Sequence, residues 1–173
     1  MNNFVLNVPN FLSNEDCNDI IKTYKSLLIK DEKYEYSGYY YYDFKEAIFV
    51  EKFNNAIEQY KNIFKEITYT GSYWNLNNLR LKKFEPTKYF STWHSEHCMS
   101  NPYRILNVQV YLTEHNCGTE FFDGTVIKSE IGKLTFFPAY FTHTHKGQAC
   151  PENKDRYIIT GYLSFIQKGN LEQ

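Results

Sequence analysis

From Ser13 onward the apolar positions recur every three or four residues: Cys17, Ile20, Ile21, Tyr24, Leu27 and Leu28. That spacing marks one face of an α-helix and predicts a helix over residues 14–29. Ser13 suits the N-cap, and Glu15 and Asp16 fall in the first turn, where the helix dipole favours negative charge. Ahead of it, Phe4 to Val8 alternates weakly and predicts an edge strand, broken by Pro9 to Leu12. A second helical stripe, Ala47, Val50, Phe53, Ile57, Tyr60 and Phe64, extends to about residue 66. Asp43 is its candidate cap and Thr70-Gly71-Ser72 closes the region. Between the two helices lies KDEKYEYSGYYYYD, residues 30–43, with six tyrosines around one glycine. It predicts a loop and short strand packing its rings on the core, in preference to a lid over a substrate.

Beyond residue 72 the helical period is gone and alternation takes over. Leu79, Leu81 and Lys83 alternate with Arg80 and Lys82 before Pro86. Further strands are predicted at Tyr89–Glu96, Arg104–Thr113, Leu134–Phe137 and Tyr157–Ile166. Thr119–Phe122 and Thr125–Lys128 flank Asp123-Gly124, a strong hairpin signal. Two helices followed by about eight short strands predict an α+β, mainly β protein, in which two N-terminal helices buttress an antiparallel barrel or jelly roll. The 173 residues favour one domain over residues 1–173, with helical support over 1–70 and a jelly-roll core over 79–166.

Composition narrows this reading. The aromatic fraction is 18%, ample for a packed core. Net charge is −1, which gives no whole-chain electrostatic case for nucleic acid or an anionic membrane. No apolar run approaches the roughly 18 residues of a membrane span, and Met1-Asn2-Asn3-Phe4 lacks a basic signal-peptide start. The expected location is cytoplasmic, and the richness in Asn, Lys, Ile, Tyr and Phe fits an AT-rich phage or low-GC bacterial source. Cys17, Cys98, Cys117 and Cys150 form no CxxC pair and are expected to be free thiols. A zinc site built from Cys98, Cys117, Cys150 and a histidine matches no familiar spacing and is disfavoured.

The chemistry concentrates in two stretches. One is Trp93-His94-Ser95-Glu96; the other runs from Gly132 to Phe165 and carries His143, His145, Arg156, Thr160 and Tyr162. On a strand, residues two apart point the same way, so His94 and Glu96 can reach one metal. Two imidazoles and one carboxylate on one face of a metal make the facial triad of non-haem Fe(II) oxygenases. The third ligand must come from a distant strand. His143 and His145 share parity, and His145 is preferred. Arg156, eleven residues beyond His145, can clamp a carboxylate with two parallel hydrogen bonds. His97 and His115 have no matched role and are expected in exposed loops.

The order of HxE, YLT, GTEFF, GKLTFFPA, HKG and DRYIITGYLSF resembles the Fe(II)/2-oxoglutarate-dependent dioxygenases, in particular the prolyl 4-hydroxylase-like branch with its small phage and bacterial members. The match covers about Leu79 to Phe165, and the opening NFLSNEDCNDII resembles the segment that leads into the family's first helix. The resemblance implies a double-stranded β-helix enclosing Fe(II). It implies oxidative decarboxylation of 2-oxoglutarate to succinate by molecular oxygen, coupled to hydroxylation of a peptidyl proline or another amino-acid side chain, with ascorbate as an accessory. It implies His94, Glu96 and His145 as iron ligands, and Arg156, Tyr111 and Thr160 as contacts to the far carboxylate of 2-oxoglutarate. His145 precedes Lys-Gly, as the ligand does in the phage-like branch.

Three departures stand out. Glu96 replaces the family's usual Asp, and its extra methylene must be absorbed locally. Phe84 stands where a tyrosine is common. Gly118-Thr119-Glu120 resembles the GGxT turn with Cys117 replacing a glycine, and is read as structural. The expected partner is a peptide, protein or amino-acid substrate. The competing reading is a non-catalytic jelly-roll binding or virion module that has lost iron. A nucleic-acid demethylase would want a basic groove, of which the net charge gives no sign.

Overall fold

The computed structural model describes residues 3–33, 37–45, 47–70 and 74–166. Among these residues, ten strands and two α-helices follow in order. Leu6–Val8 is β1, Asn14–Tyr24 is α1, Ile29–Lys30 is β2 and Tyr39–Asp43 is β3. Val50–Ile63 is α2, Trp74–Phe84 is β4, Arg104–Tyr111 is β5 and His115–Phe121 is β6. Val126–Ser129 is β7, Leu134–Pro138 is β8, His145–Gly147 is β9 and Arg156–Phe165 is β10. The strands form an antiparallel seven-stranded sheet, ordered β1-β8-β5-β10-β4-β3-β2, and a three-stranded sheet, ordered β7-β6-β9. Two facing antiparallel sheets with helices outside give the jelly roll predicted from the sequence.

Strand alternation divides the large sheet's two faces between two jobs. Leu81, Val108, Val110, Leu134, Phe136, Ile159 and Leu163 point to one face, where α1 and α2 cover them. The helices bring Cys17 and Ile20, then Phe53, Ala56, Ile57 and Tyr60, each set at helical spacing. Full burial of each large apolar side chain is worth roughly 1.5–3 kcal/mol, so this layer is the main anchor of the fold. The intervening residues of the same strands face the small sheet. There Tyr39, Phe84, Tyr111, Phe121, Ile127, Phe137 and Ile158 form a second, smaller core. On that inner face, polar residues interrupt the apolar ones, and the interruption is the site described below.

Local signals explain where several elements begin and end. Ser13 caps α1 in a full capping box: its hydroxyl accepts from the Asp16 amide at 3.0 Å, and the Asp16 carboxylate accepts from the Ser13 amide at 3.0 Å. The helix is shorter than predicted. It passes into a 3₁₀ turn at Lys25–Leu27, and the chain then leaves as β2, because Ile29 pairs with Tyr41 on the sheet edge. The second helix starts at Val50 rather than after Asp43. Asp43 closes β3 and takes a two-point ion pair from Arg80 on β4. No side chain caps α2, whose N-cap Phe49 sits at φ 50°. Gly71 and Ser72, expected to close this region, lie outside the described residues, as do Tyr34, Glu35 and Tyr36 of the tyrosine-rich stretch. The described part of that stretch is a loop and a short strand, β3 at Tyr39–Asp43, with Tyr39 packing on Phe84, ring centroids 5.4 Å apart.

Three expectations are corrected. Tyr89–Glu96 is not a strand; the chain there is irregular and meets β9 through a bridge between His94 and His145 and through the Phe90 carbonyl, which accepts from the Gly147 amide at 2.8 Å. His115 is not in an exposed loop but buried on β6, 4% exposed. Cys117 and Cys150 are not free thiols; they form a disulfide between β6 and the segment after β9, with Cα atoms 5.0 Å apart. Pairing of β6 with β9 brings two cysteines 33 residues apart together, which linear spacing does not reveal. Cys17 and Cys98 are the free thiols. Among the described residues no helix is long and apolar enough to cross a membrane.

Candidate metal centre and carboxylate pocket

His94, Glu96 and His145 converge, with one ligand atom from each lying within 4.8 Å of the others. His145 opens β9, and the two histidines exchange backbone hydrogen bonds, His94 N–H to His145 O at 3.0 Å and His145 N–H to His94 O at 2.9 Å. This single bridge does what a full strand was expected to do. It holds residue 94 beside residue 145 and lets residue 96 return to the same side.

Each imidazole is oriented by a backbone carbonyl. His94 Nδ1 lies 2.9 Å from Thr92 O, and His145 Nδ1 lies 2.9 Å from His143 O. A carbonyl only accepts, so Nδ1 carries the proton in both rings and Nε2 presents its lone pair, the usual outer-shell arrangement of a histidine ligand. Aromatic edges pack the rings in place: Phe90 at 4.7 Å from His94, and Phe137 at 4.9 Å from His145. His94 Nε2 is 3.5 Å from Glu96 Oε1. Glu96 Oε2 accepts from Arg104 Nη1 at 2.8 Å. Arg104 in turn lies on the face of Tyr162, 3.5 Å from the ring centroid. His143 lies on the 3₁₀ turn before β9 and is elsewhere: its Nε2 donates to Asn3 O at 2.6 Å.

Burial sets the ionisation of this group. His145 is 5% exposed, and burial, then repulsion from His94, pushes its pKa down to about 4. The ring is therefore neutral at neutral pH, as a ligand must be. Burial alone would raise the Glu96 carboxyl, but its favourable interaction with His94, then with Lys82 and His145, outweighs this and holds the pKa at about 2, so the carboxylate stays ionised. A pH dependence follows. In the unfolded chain the His145 imidazole titrates near its ordinary value of 6.5, in the metal-free fold near 4. The unfolded state binds more protons between these values, so stability falls as pH drops from about 6.5 to about 4 and levels off below. Urea unfolding of the metal-free protein across this window is expected to show that slope, and His145→Asn is expected to flatten it. An unchanged slope in His145→Asn would assign the effect to another group.

The three residues line a cavity of about 370 Å³ between the two sheets. Arg156, at the start of β10, reaches into it and is 5% exposed. Its Nη1 donates to Cys117 Sγ at 3.2 Å and to Gln148 O at 3.4 Å, and its guanidinium lies 4.8 Å from the Phe84 ring centroid. Its buried Nε has no partner, and no carboxylate faces it among the described residues. Burial pushes its pKa down to about 10, so it stays charged at neutral pH. A buried cation with a spare donor is costly unless an anion completes it. Thr160, four residues on and on the same face of β10, also lines the cavity. Tyr111 does not; it sits one layer behind, its hydroxyl 2.9 Å from Thr119 Oγ1 and donating to Ile127 O at 3.3 Å. Thr119 lines the wall instead. Gly118, beside it, has no room for a side chain, because a Cβ there would collide with the backbone oxygen of Ile127. That accounts for the glycine of the GTE turn.

Sequence reading missed Arg104, Lys82, Gln109 and Tyr39, all cavity residues. A signal for two of them, Lys82 and Gln109, was present. Arg80, Lys82 and Phe84 share a face of β4, and Asn107, Gln109 and Tyr111 share a face of β5. Polar residues repeating every second position on long, buried strands mark a wet interior.

No family model matches the chain, and no curated protein matches its sequence. Solved structures do match. A viral collagen prolyl hydroxylase from Paramecium bursaria Chlorella virus 1, in its 2-oxoglutarate complex, superposes with a TM-score of 0.69 at 16% identity, covering 95% of this chain and 97% of that one. A Pseudomonas putida prolyl 4-hydroxylase gives 0.65 at 13% identity, over 95% and 94%. A Trichoplax adhaerens prolyl hydroxylase, in complex with a peptide fragment of the hypoxia-inducible factor oxygen degradation domain, gives 0.73 at 12% identity, over 99% and 88%. The chain has the fold of prolyl hydroxylases and 2-oxoglutarate–Fe(II) oxygenases over nearly its whole length.

Proposed function

We propose that the chain, acting as one domain, is an Fe(II)/2-oxoglutarate-dependent dioxygenase that hydroxylates a peptidyl proline or another amino-acid side chain. The observation that carries this is the pairing, in one cavity, of a two-imidazole, one-carboxylate cluster with a buried, incompletely bonded arginine. The donor set fits iron: two neutral nitrogen ligands, one anionic oxygen and no sulfur, leaving positions for other ligands. The orphaned Nε of Arg156 fits a dianionic cosubstrate, whose far carboxylate would complete it.

His94, Glu96 and His145 would hold the metal, and Arg156 and Thr160 the far carboxylate, with Thr119 backed by Tyr111. When bound, iron and 2-oxoglutarate supply oxygen-dependent oxidation, with 2-oxoglutarate ending as succinate and carbon dioxide. The chain does the rest. The carbonyls of Thr92 and His143 fix the ligand tautomers. Arg104 holds the longer Glu96 side chain in one rotamer, which is how the extra methylene is absorbed. Phe84, Phe90 and Ile158 keep part of the wall apolar and limit water. The Trichoplax protein's peptide supports a peptide substrate, and exposed Trp93 and Phe122, ring centroids 5.2 Å apart, offer an aromatic rim beside His94.

The test is oxygen-dependent succinate formation from 2-oxoglutarate with Fe(II) supplied. The parent is expected to form succinate. Glu96→Asp is expected to keep part of the activity, and Glu96→Ala to lose hydroxylation. No iron-dependent turnover by the parent would favour a non-catalytic jelly-roll module, and a fully active Glu96→Ala would remove this carboxylate from the ligand set.

A further inference from the structure

A second set of metal-ligating side chains lies behind Arg156, outside the cavity just described. One ligand atom each from His115, Cys150 and Glu152 lies within 4.8 Å of the other two, and Cys117, outside that group, is bonded to Cys150. The His115 side chain is fully buried. Its Nε2 is 3.2 Å from Asp155 O, and since a carbonyl only accepts, Nε2 carries the proton. Nδ1 therefore presents a lone pair. Glu152 is anchored in the same way: Oε1 accepts from the Asn116 amide at 2.7 Å, leaving Oε2 free. His115 Nδ1 and Glu152 Oε2 face each other at 3.5 Å, longer than the roughly 2.7–3.2 Å of an N–H···O bond, and among the described residues neither has a hydrogen-bond partner. Two buried acceptors aimed at one point, each locked by a backbone group on its other atom, are what a bound cation requires.

We propose that the dithiol form of the protein binds Zn²⁺ through Cys117, Cys150, His115 and Glu152. Two sulfurs, one imidazole nitrogen and one carboxylate oxygen are a donor set for a closed tetrahedral zinc site. The disulfide occupies the same place in the oxidised form and leaves the nitrogen and oxygen unsatisfied. The two forms interconvert by thiol–disulfide exchange. Two equivalents of a small thiol reduce the bond, giving two cysteine thiols and one external disulfide. Zinc then replaces the two thiol protons, which are released to solvent. Two thiolates, one carboxylate and Zn²⁺ sum to one negative charge. The Arg156 guanidinium, already donating to Cys117 Sγ at 3.2 Å, lies beside it as counter-charge. Either form ties β6 to the segment that leads into Arg156.

Co²⁺ alone is the probe, on the full chain in a Cys98→Ser background that removes the exposed thiol. After reduction and chelator treatment, one equivalent of Co²⁺ is expected to raise a near-ultraviolet sulfur-to-metal charge-transfer band, and added Zn²⁺ to remove it. The oxidised protein gives no band. The band is lost when Cys117 and Cys150 are both replaced by Ser, and the Co²⁺ affinity falls at least about tenfold in Glu152→Gln, a partly exposed position whose remaining oxygen can still accept from the Asn116 amide. The proposal is overturned by a reduced protein without the band, by a band that persists when Cys117 and Cys150 are both replaced by Ser, or by unchanged affinity in Glu152→Gln. The cluster at His94 contains no sulfur, so this readout is blind to whether that cluster binds iron.

Discussion

Alanine at His94 or His145 is expected to abolish stoichiometric Fe(II) binding, while His143→Ala keeps it. Either of the first two variants leaves one imidazole and one carboxylate, too few to hold the metal against water. The loss should exceed the roughly 10–100-fold that follows removal of a group merely supporting a ligand. His143, by contrast, spends its Nε2 on Asn3 O and acts on the cluster only through its backbone carbonyl, which alanine retains. The measurement is iron retained after anaerobic gel filtration, with circular dichroism confirming the fold. His145 is packed against Phe137 and Phe121, so His145→Asn serves beside alanine as the less disruptive test. If His143→Ala loses the iron and His145→Ala keeps it, the assignment of the distal ligand is wrong.

The fold was legible where local pattern and tertiary role agree. Arg104–Thr113 alternates because β5 is buried on two different faces, Val108 and Val110 under the helices and Gln109 toward the cavity. The capping box at Ser13 is a contact between residues three apart, so it is written in the sequence. Tyr89–Glu96 misled because its apolar and aromatic residues imitate a strand. Their real role is to pack on the histidines, and the segment meets β9 through the His94 bridge and the Phe90 carbonyl rather than as a ladder. The start of α2 misled because Asp43 has the chemistry of a cap but is claimed by Arg80, 37 residues away. His115 and the Cys117–Cys150 bond were hidden for a related reason. Their partners arrive through the β6–β9 pairing, and a three-residue strand at His145–Gly147 leaves little periodic signal.

The candidate site divides along the same line. His94, Glu96, His145, Arg156 and Thr160 were found as residue types in an order that resembles a family, and the structure brings all five to one cavity. Arg104 was not found, because its role is defined by a 2.8 Å contact with a carboxylate eight residues earlier, across a chain reversal. Tyr111 was expected at the cosubstrate and instead supports Thr119, a distinction of one side-chain layer that strand parity does not make.

Arg156→Ala is expected to weaken 2-oxoglutarate binding by roughly two to four decades. The keto acid end of the cosubstrate would be taken by iron, so its far carboxylate must be desolvated and paired inside the cavity. Breaking a buried ion pair by removing one partner costs about 3–5 kcal/mol, because the other charge stays buried and uncompensated, and each decade of affinity is about 1.4 kcal/mol. Arg156→Lys should recover part of this, since it restores charge without the two-pronged donor. Tyr111→Phe should cost only about 1 kcal/mol, the worth of one hydrogen bond, since its hydroxyl reaches the site through Thr119. Substituting Arg156 also removes the charged group that leans on Phe84 and Cys117, so each variant is first checked for folding by thermal melting. The measurement is an anaerobic titration of 2-oxoglutarate into the iron-loaded protein, following the metal-to-keto-acid absorption band. The ranking Arg156→Ala, then Arg156→Lys, then Tyr111→Phe, in order of decreasing loss, is specific to a charge clamp. If Arg156→Ala binds 2-oxoglutarate as tightly as the parent, the buried guanidinium has another ligand, and the cosubstrate assignment loses its main support.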